Sequence, residues 1–179
     1  MAHIETSRFG KLEYYDKDLL LFPEGIPGFT QCTKWIIAGE ESHFIKWMQS
    51  VEYGDVALPV TSPEFVDPKF HLKIHQEELD FLGAQEKGDL FVLVVVRIPP
   101  EMPWEMTANL AAPVVLCTTT RKGRQIVSSE DQPRFREYVF PEETRIAMAE
   151  EYQKVSVNPS PEYPEETLWE ENPHAGPDA

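Results

Sequence analysis

VVLCTTTRKGRQIV, residues 114–127, decides the fold class. Val114 to Thr119 and Arg124 to Val127 are β-prone runs, and Arg121, Lys122 and Gly123 lie between them. Glycine there can take the positive φ that a bulged three-residue turn needs, so an antiparallel hairpin follows. Upstream, Leu90 to Ile98 is nearly continuous in apolar residues and reads as a central strand. Phe44 to Val51 and Val56 to Val60 flank Gly54 and Asp55, a second hairpin; Ile4 to Arg8 and Leu12 to Tyr15 flank Gly10, a third. FPEGIPGF at 22–29 is a Pro and Gly loop, after which Trp35 to Ala38 resumes as strand. Before residue 140 the one helical signal is QEELDFL at 76–82, with Glu77 and Glu78 near its start and Gly83 just past its end. A sheet with so few helices must curl or stack to hide both faces. The expected fold is all-β and mainly antiparallel, a small barrel-like or sandwich domain over residues 1–140 with one or two short helices.

The 179 residues suit one domain, and 16 Lys and Arg against 31 Asp and Glu give a net charge of −15. Such a field repels a phosphate backbone, which argues against direct nucleic-acid binding, and attracts a basic protein in a salt-sensitive way. Residues 141–179 hold ten acids and two bases, so the last fifth carries about half the charge. Pro141, Glu142 and Glu143 suit the first turn of a short helix over 141–156. From Val157 onward VNPSPEYPEETLWEENPHAGPDA is rich in Pro and Glu, the composition of a flexible acidic tail. The start, MAHIETSRFG, lacks the apolar stretch of a secretory signal, and the longest apolar run, Leu90 to Val96, is seven residues against the roughly 20 that span a bilayer. The expectation is a cytoplasmic protein with no membrane association. Cys32 and Cys117 fit a reducing compartment and read as small core residues.

The motifs of common chemistry are missing: there is no glycine-rich phosphate loop, dinucleotide fingerprint, His-Glu-x-x-His pair or Gly-x-Ser-x-Gly elbow. His71 and His75 would share a helix face, but their segment reads as extended, which would set them roughly 13 Å apart. Carboxylate pairs such as Glu40 with Glu41 are expected by chance in so acidic a chain. The basic trio Arg121, Lys122 and Arg124 sits at a turn tip, where it serves as a solvated hairpin end or as a local phosphate contact. No enzyme, no metal and no cofactor is expected.

Two segments are more informative. In FIKWMQS, 44–50, a period of two puts Phe44, Lys46, Met48 and Ser50 on one face and Ile45, Trp47 and Gln49 on the other. Trp47 is then either core or, with Gln49, part of a protein-binding surface, because aromatics anchor such surfaces. In MTANLAAP, 106–113, Thr107 and Asn109 suit a turn in which side chains bond the backbone, or else contribute contacts.

RFGKLEYY (8–15), LLLFPEGIPGF (19–29), FIKWMQS (44–50), MTANLAAPVV (106–115) and RKGRQIV (121–127), in this order, resemble the FliW family of flagellar assembly factors over roughly residues 4–128. The resemblance implies a minimal β-barrel-like fold without catalysis or cofactor, and a chain that is monomeric when free. It further implies that the protein binds flagellin in the cytoplasm and, once released, binds the carbon storage regulator CsrA, which lifts repression of flagellin mRNA translation. Trp47, Gln49, Thr107 and Asn109 are the expected contact residues. A small-ligand or enzymatic barrel, or a binding module for another secretion protein, are the alternatives. The chain departs from the family pattern at Met48, where Leu is expected, at Phe70, where Tyr is common, and in SSEDQPRFREYVF after Val127.

Overall fold

Residues 1–128 and 133–157 are described by the computed structural model. β1 (Ala2–Thr6) and β2 (Gly10–Tyr14) pair antiparallel as a two-stranded sheet of their own. Gly10 has φ +63, and the Thr6 hydroxyl closes the turn by donating to the Gly10 carbonyl at 2.9 Å and accepting from the Phe9 N–H at 2.9 Å. The hairpin lies against the turn at Gly54, where Ser7 N–H donates to the Gly54 carbonyl at 3.1 Å. A Cβ on Gly54 would sit 1.9 Å from the Glu5 carbonyl oxygen, so only glycine admits this approach.

The main sheet contains β3 (Leu20–Leu21), β4 (Lys34–Ala38), β5 (Lys46–Ser50), β6 (Ala57–Thr61), β7 (Leu90–Arg97), β8 (Thr107–Ala108), β9 (Val114–Cys117), β10 (Gly123–Gln125) and β11 (Glu137–Tyr138). Its order is β10-β9-β7-β6-β5-β4-β3, with β8 also on β7 and β11 on β8, and every ladder is antiparallel. A lone bridge, Leu21 to Lys122, with Leu21 N–H donating to the Arg121 carbonyl at 2.8 Å, draws the first edge back toward β10. The sheet therefore curls on itself without closing into a full barrel.

β7 is central, because alternate side chains feed opposite cores. Leu93 joins Phe22, Trp35, Met48, Val60, Val114 and Leu116 on one side. Val94 and Val96 pack on the other with Met106, Ala108, Leu110 and Val139, and Leu90 and Val92 with Leu82, Val115 and Cys117. Met48 is fully buried, so the thioether fills its site in the first core; Cys32 and Cys117 are buried free thiols. α1 (Gln76–Leu82) ends at Gly83 with φ +68 and buries Leu79 and Leu82. α2 (Glu142–Val157) begins after Pro141 and is pinned by Arg145, whose guanidinium donates to Glu105 Oε2 at 2.7 Å and lies 3.6 Å over the Tyr138 ring. Beyond Val157 the acidic stretch lies outside the described residues.

The β9–β10 hairpin differs from the sequence expectation in one respect. The positive φ falls on Arg121, at +62, and not on Gly123. Arg121 is held there by its own side chain, which donates to the carbonyls of Asp18 at 3.1 Å and Leu19 at 3.4 Å. Gly123 is required for a different reason: a Cβ there would lie 2.3 Å from Cζ of the buried Phe22.

Candidate functional site

β5 carries two of the expected contact residues, and they part company. Trp47 is half-buried under the first hairpin, with the Arg8 guanidinium 3.6 Å over its ring and Phe9 edge-on at 6.3 Å. Gln49 is fully buried. Its Nε2 donates to the carbonyls of Ser50 and Val56, both at 3.0 Å, and lies 3.3 and 3.4 Å from those of Gly54 and Tyr53. The amide therefore plugs the β5–β6 turn, and the structure withdraws Gln49 from the surface on which it was expected. The cause is the turn: the carbonyls of Ser50, Tyr53, Gly54 and Val56 converge on the amide, and each carbonyl oxygen has a second lone pair to accept from it.

Thr107 and Asn109 lie elsewhere, in a cleft of about 220 Å³. Its origin is a proline. β6 pairs with β7 at Thr61↔Val94 and Val60↔Val95, and the next position in register is Pro59, opposite Val96. Pro59 has no N–H, so the ladder stops. On the opposite edge of β7, Asn109 N–H donates to the Val95 carbonyl at 2.9 Å and Thr107 pairs with Arg97. Leu58, Val95, Val96 and Arg97 thus line the cleft beside Thr107 and Asn109.

The FPEGIPGF loop supplies another wall through Ile26, Pro27 and Phe29; its compact shape comes from paired bonds between Ile26 and Phe29, with Phe29 N–H to the Ile26 carbonyl at 2.6 Å. Gln125, Phe135 and Arg136 complete the lining. Asn109 Oδ1 accepts from the Ala111 N–H at 3.1 Å, the turn expected of it, and Gln125 Nε2 donates to the Ala112 carbonyl at 2.8 Å. Two segments about 80 residues apart in sequence therefore meet in one site.

The remaining candidates are occupied structurally. Arg124 pairs with Glu24 at 3.1 Å and lies 4.4 Å from the centre of the Phe81 ring, and Arg121 is bound to backbone carbonyls. Burial pushes the Cys32 thiol above its ordinary value, which suits a core residue and not a nucleophile. Among the described residues no group of three His, Cys, Asp or Glu could hold a metal ion, and no helix is long and apolar enough to cross a membrane.

Sequence reasoning did not identify Leu58, Arg97, Gln125, Phe135 or Arg136 as site residues. One local signal was present: a proline inside a β-run, ALPVT, which marks a ladder that ends.

Comparison with known proteins agrees with this architecture. The family model described as FliW protein matches residues 3–139. The flagellar assembly factor FliW of Caldanaerobacter subterraneus subsp. tengcongensis is 34% identical over 131 residues, covering 72% of this chain and 87% of that protein. The flagellar assembly factor FliW of Leptospira interrogans is 35% identical over 138 residues, covering 76% and 92% respectively. A crystal structure of the flagellar assembly factor FliW superposes with a TM-score of 0.71 at 25% identity, over 79% of this chain and 99% of that one.

Proposed function

The chain belongs to the FliW family, and we propose on that premise that it is a cytoplasmic, non-enzymatic flagellar assembly factor that binds flagellin. Once flagellin is exported, the freed protein binds the regulator CsrA and relieves repression of flagellin mRNA translation. One observation carries the proposal: FPEGIPGF and MTANLAAP, the two most distinctive segments, contribute Ile26, Pro27 and Phe29, and Thr107 and Asn109, to one open cleft. Buried structure alone does not require such segments to share an accessible site. At about 220 Å³ the cleft falls short of the roughly 300 Å³ or more of small-molecule pockets, which favours side chains of a protein partner over a substrate.

In this scheme residues 1–140 carry binding, and the acidic segment 157–179 tunes association electrostatically. The net charge of −15 supports a basic, RNA-binding partner. Calorimetric titration of the full chain with flagellin, and separately with CsrA, tests the scheme. Complexes forming at micromolar concentration or below are expected; no heat and no co-elution with either protein would contradict it.

A further inference from the structure

The chain has seven arginines. Five are engaged: Arg8 over Trp47, Arg121 on two carbonyls, and Arg124, Arg134 and Arg145 in ion pairs with Glu24, Asp67 and Glu105. The other two, Arg97 and Arg136, are exposed, and their guanidiniums have no hydrogen-bonding or ion-pair partner among the described residues. Both line the same cleft. In a protein with almost two acids for every base, two unpaired guanidiniums at one site are not an average outcome of composition.

Of the three other polar side chains, two add to the pattern, whereas Gln125 spends an Nε2 hydrogen on the Ala112 carbonyl and brings an acceptor oxygen. Asn109 spends its Oδ1 on Ala111, which leaves its two Nδ2 hydrogens as the free end. The Thr107 hydroxyl adds a further donor, and among the described residues no carboxylate lines the cleft. Beneath these groups the lining is apolar, through Ile26, Phe29 and Leu58. A site rich in donors over an apolar floor is complementary to a carboxylate flanked by apolar side chains, which guanidiniums hold by paired charge-assisted bonds.

We propose that this cleft captures an extended acidic segment of a protein partner, a carboxylate reaching Arg97 and Arg136 while neighbouring aliphatic side chains pack on Ile26, Phe29 and Leu58. The inference rests on the protein-binding role proposed above and gives it a recognition chemistry. It also assigns polarity: basic partners meet the general acidic surface, and an acidic segment meets the cleft.

The test uses the full chain and two fluorescein-labelled hexapeptides, SIDLEV and its amide counterpart SINLQV, read by fluorescence anisotropy at low salt. SIDLEV is expected to bind and SINLQV not to; affinity falls with added salt, and Arg97→Met and Arg136→Met each weaken SIDLEV about tenfold or more while thermal stability stays unchanged. Equal binding of the two peptides, no binding of either, or insensitivity to both substitutions overturns the proposal. So does tighter SIDLEV binding after Glu165→Gln and Glu166→Gln, which would make the chain's own acidic segment the occupant. Flagellin titration of the same preparations separates the two levels. If flagellin binds and SIDLEV does not, the cleft assignment falls alone; if the wild-type chain binds neither flagellin nor CsrA, the functional reading falls.

Discussion

The guanidinium of Arg8 lies 3.6 Å over the indole of Trp47, so the first hairpin is fastened to the main sheet by a cation–π contact as well as by the close approach at Gly54. Trp47 is thus a clamp between two sheets. Trp47→Ala removes the surface on which Arg8 and Phe9 rest and is expected to cost about 2–3 kcal/mol, below the ~3–5 of a fully buried tryptophan, while Arg8→Ala costs only ~0.5–1 kcal/mol. Urea denaturation measures both, and hydrogen exchange should show β1 and β2 losing protection first. A loss under ~0.5 kcal/mol for Trp47→Ala would remove the clamp.

Gln49→Leu keeps the volume and deletes the donor. The Ser50 carbonyl loses its side-chain donor at 3.0 Å, while the Val56 carbonyl loses one of two and keeps the Ser50 N–H at 3.0 Å; a buried orphan costs about 1–3 kcal/mol. A loss of about 1–2 kcal/mol is expected by denaturant titration, because Leu also removes the buried Gln49 Oε1, which has no partner, and partner affinity stays unchanged for the folded fraction.

These two residues show what was legible in the sequence and what was not. Period-two alternation puts Trp47 and Gln49 on one face of β5, but alternation cannot reveal what covers that face. Here a distant hairpin covers Trp47, and the adjoining turn consumes Gln49. Local signals fared better where the cause is local. QEELDFL with Gly83 is a helix with a left-handed cap, and the apolar run from Leu90 is the central strand. The cleft was hidden because its walls come from residues 26–29, 58, 95–97, 107–109, 125 and 135–136, which only strand pairing brings together. Thr107 and Asn109 stood out in the sequence; their partner Arg97, in a strand chosen for its apolar content, did not.

Gly123→Ala places a methyl 2.3 Å from Phe22 Cζ and 2.7 Å from Leu116 Cδ2. Because both neighbours belong to the same close-packed core, the overpacking is expected to cost about 1–3 kcal/mol. A shift in melting temperature reads it; an unchanged temperature would show that Phe22 and Leu116 yield to the added methyl, and would contradict the assignment.

Acidification should unfold the protein through two named carboxyls. Burial alone would raise Glu52, but the N–H groups of Thr33 at 2.6 Å and Lys34 at 3.1 Å, with the Thr33 hydroxyl, outweigh it and hold the group below its ordinary 4.5. Asp67 is held below 3.8 first by the Arg134 hydrogen bond at 2.8 Å, then by the Lys69 N–H. A carboxyl lowered in the folded state contributes stability that is present at neutral pH and lost as pH falls from the ordinary value through the folded one. Stability should therefore decline below about pH 4.5, and Glu52→Gln should flatten that limb while lowering stability at pH 7. A pH series of urea midpoints checks both, and an unchanged acid slope in Glu52→Gln would contradict the assignment.

The central claim is that one small β-protein is held by flagellin or by CsrA in turn. Titrating flagellin into the preformed complex of the full chain with CsrA, and measuring the CsrA released by size-exclusion chromatography, tests that claim most directly. Stoichiometric release of CsrA as flagellin saturates is the expected result. A stable ternary complex, or a CsrA complex indifferent to flagellin, would contradict it.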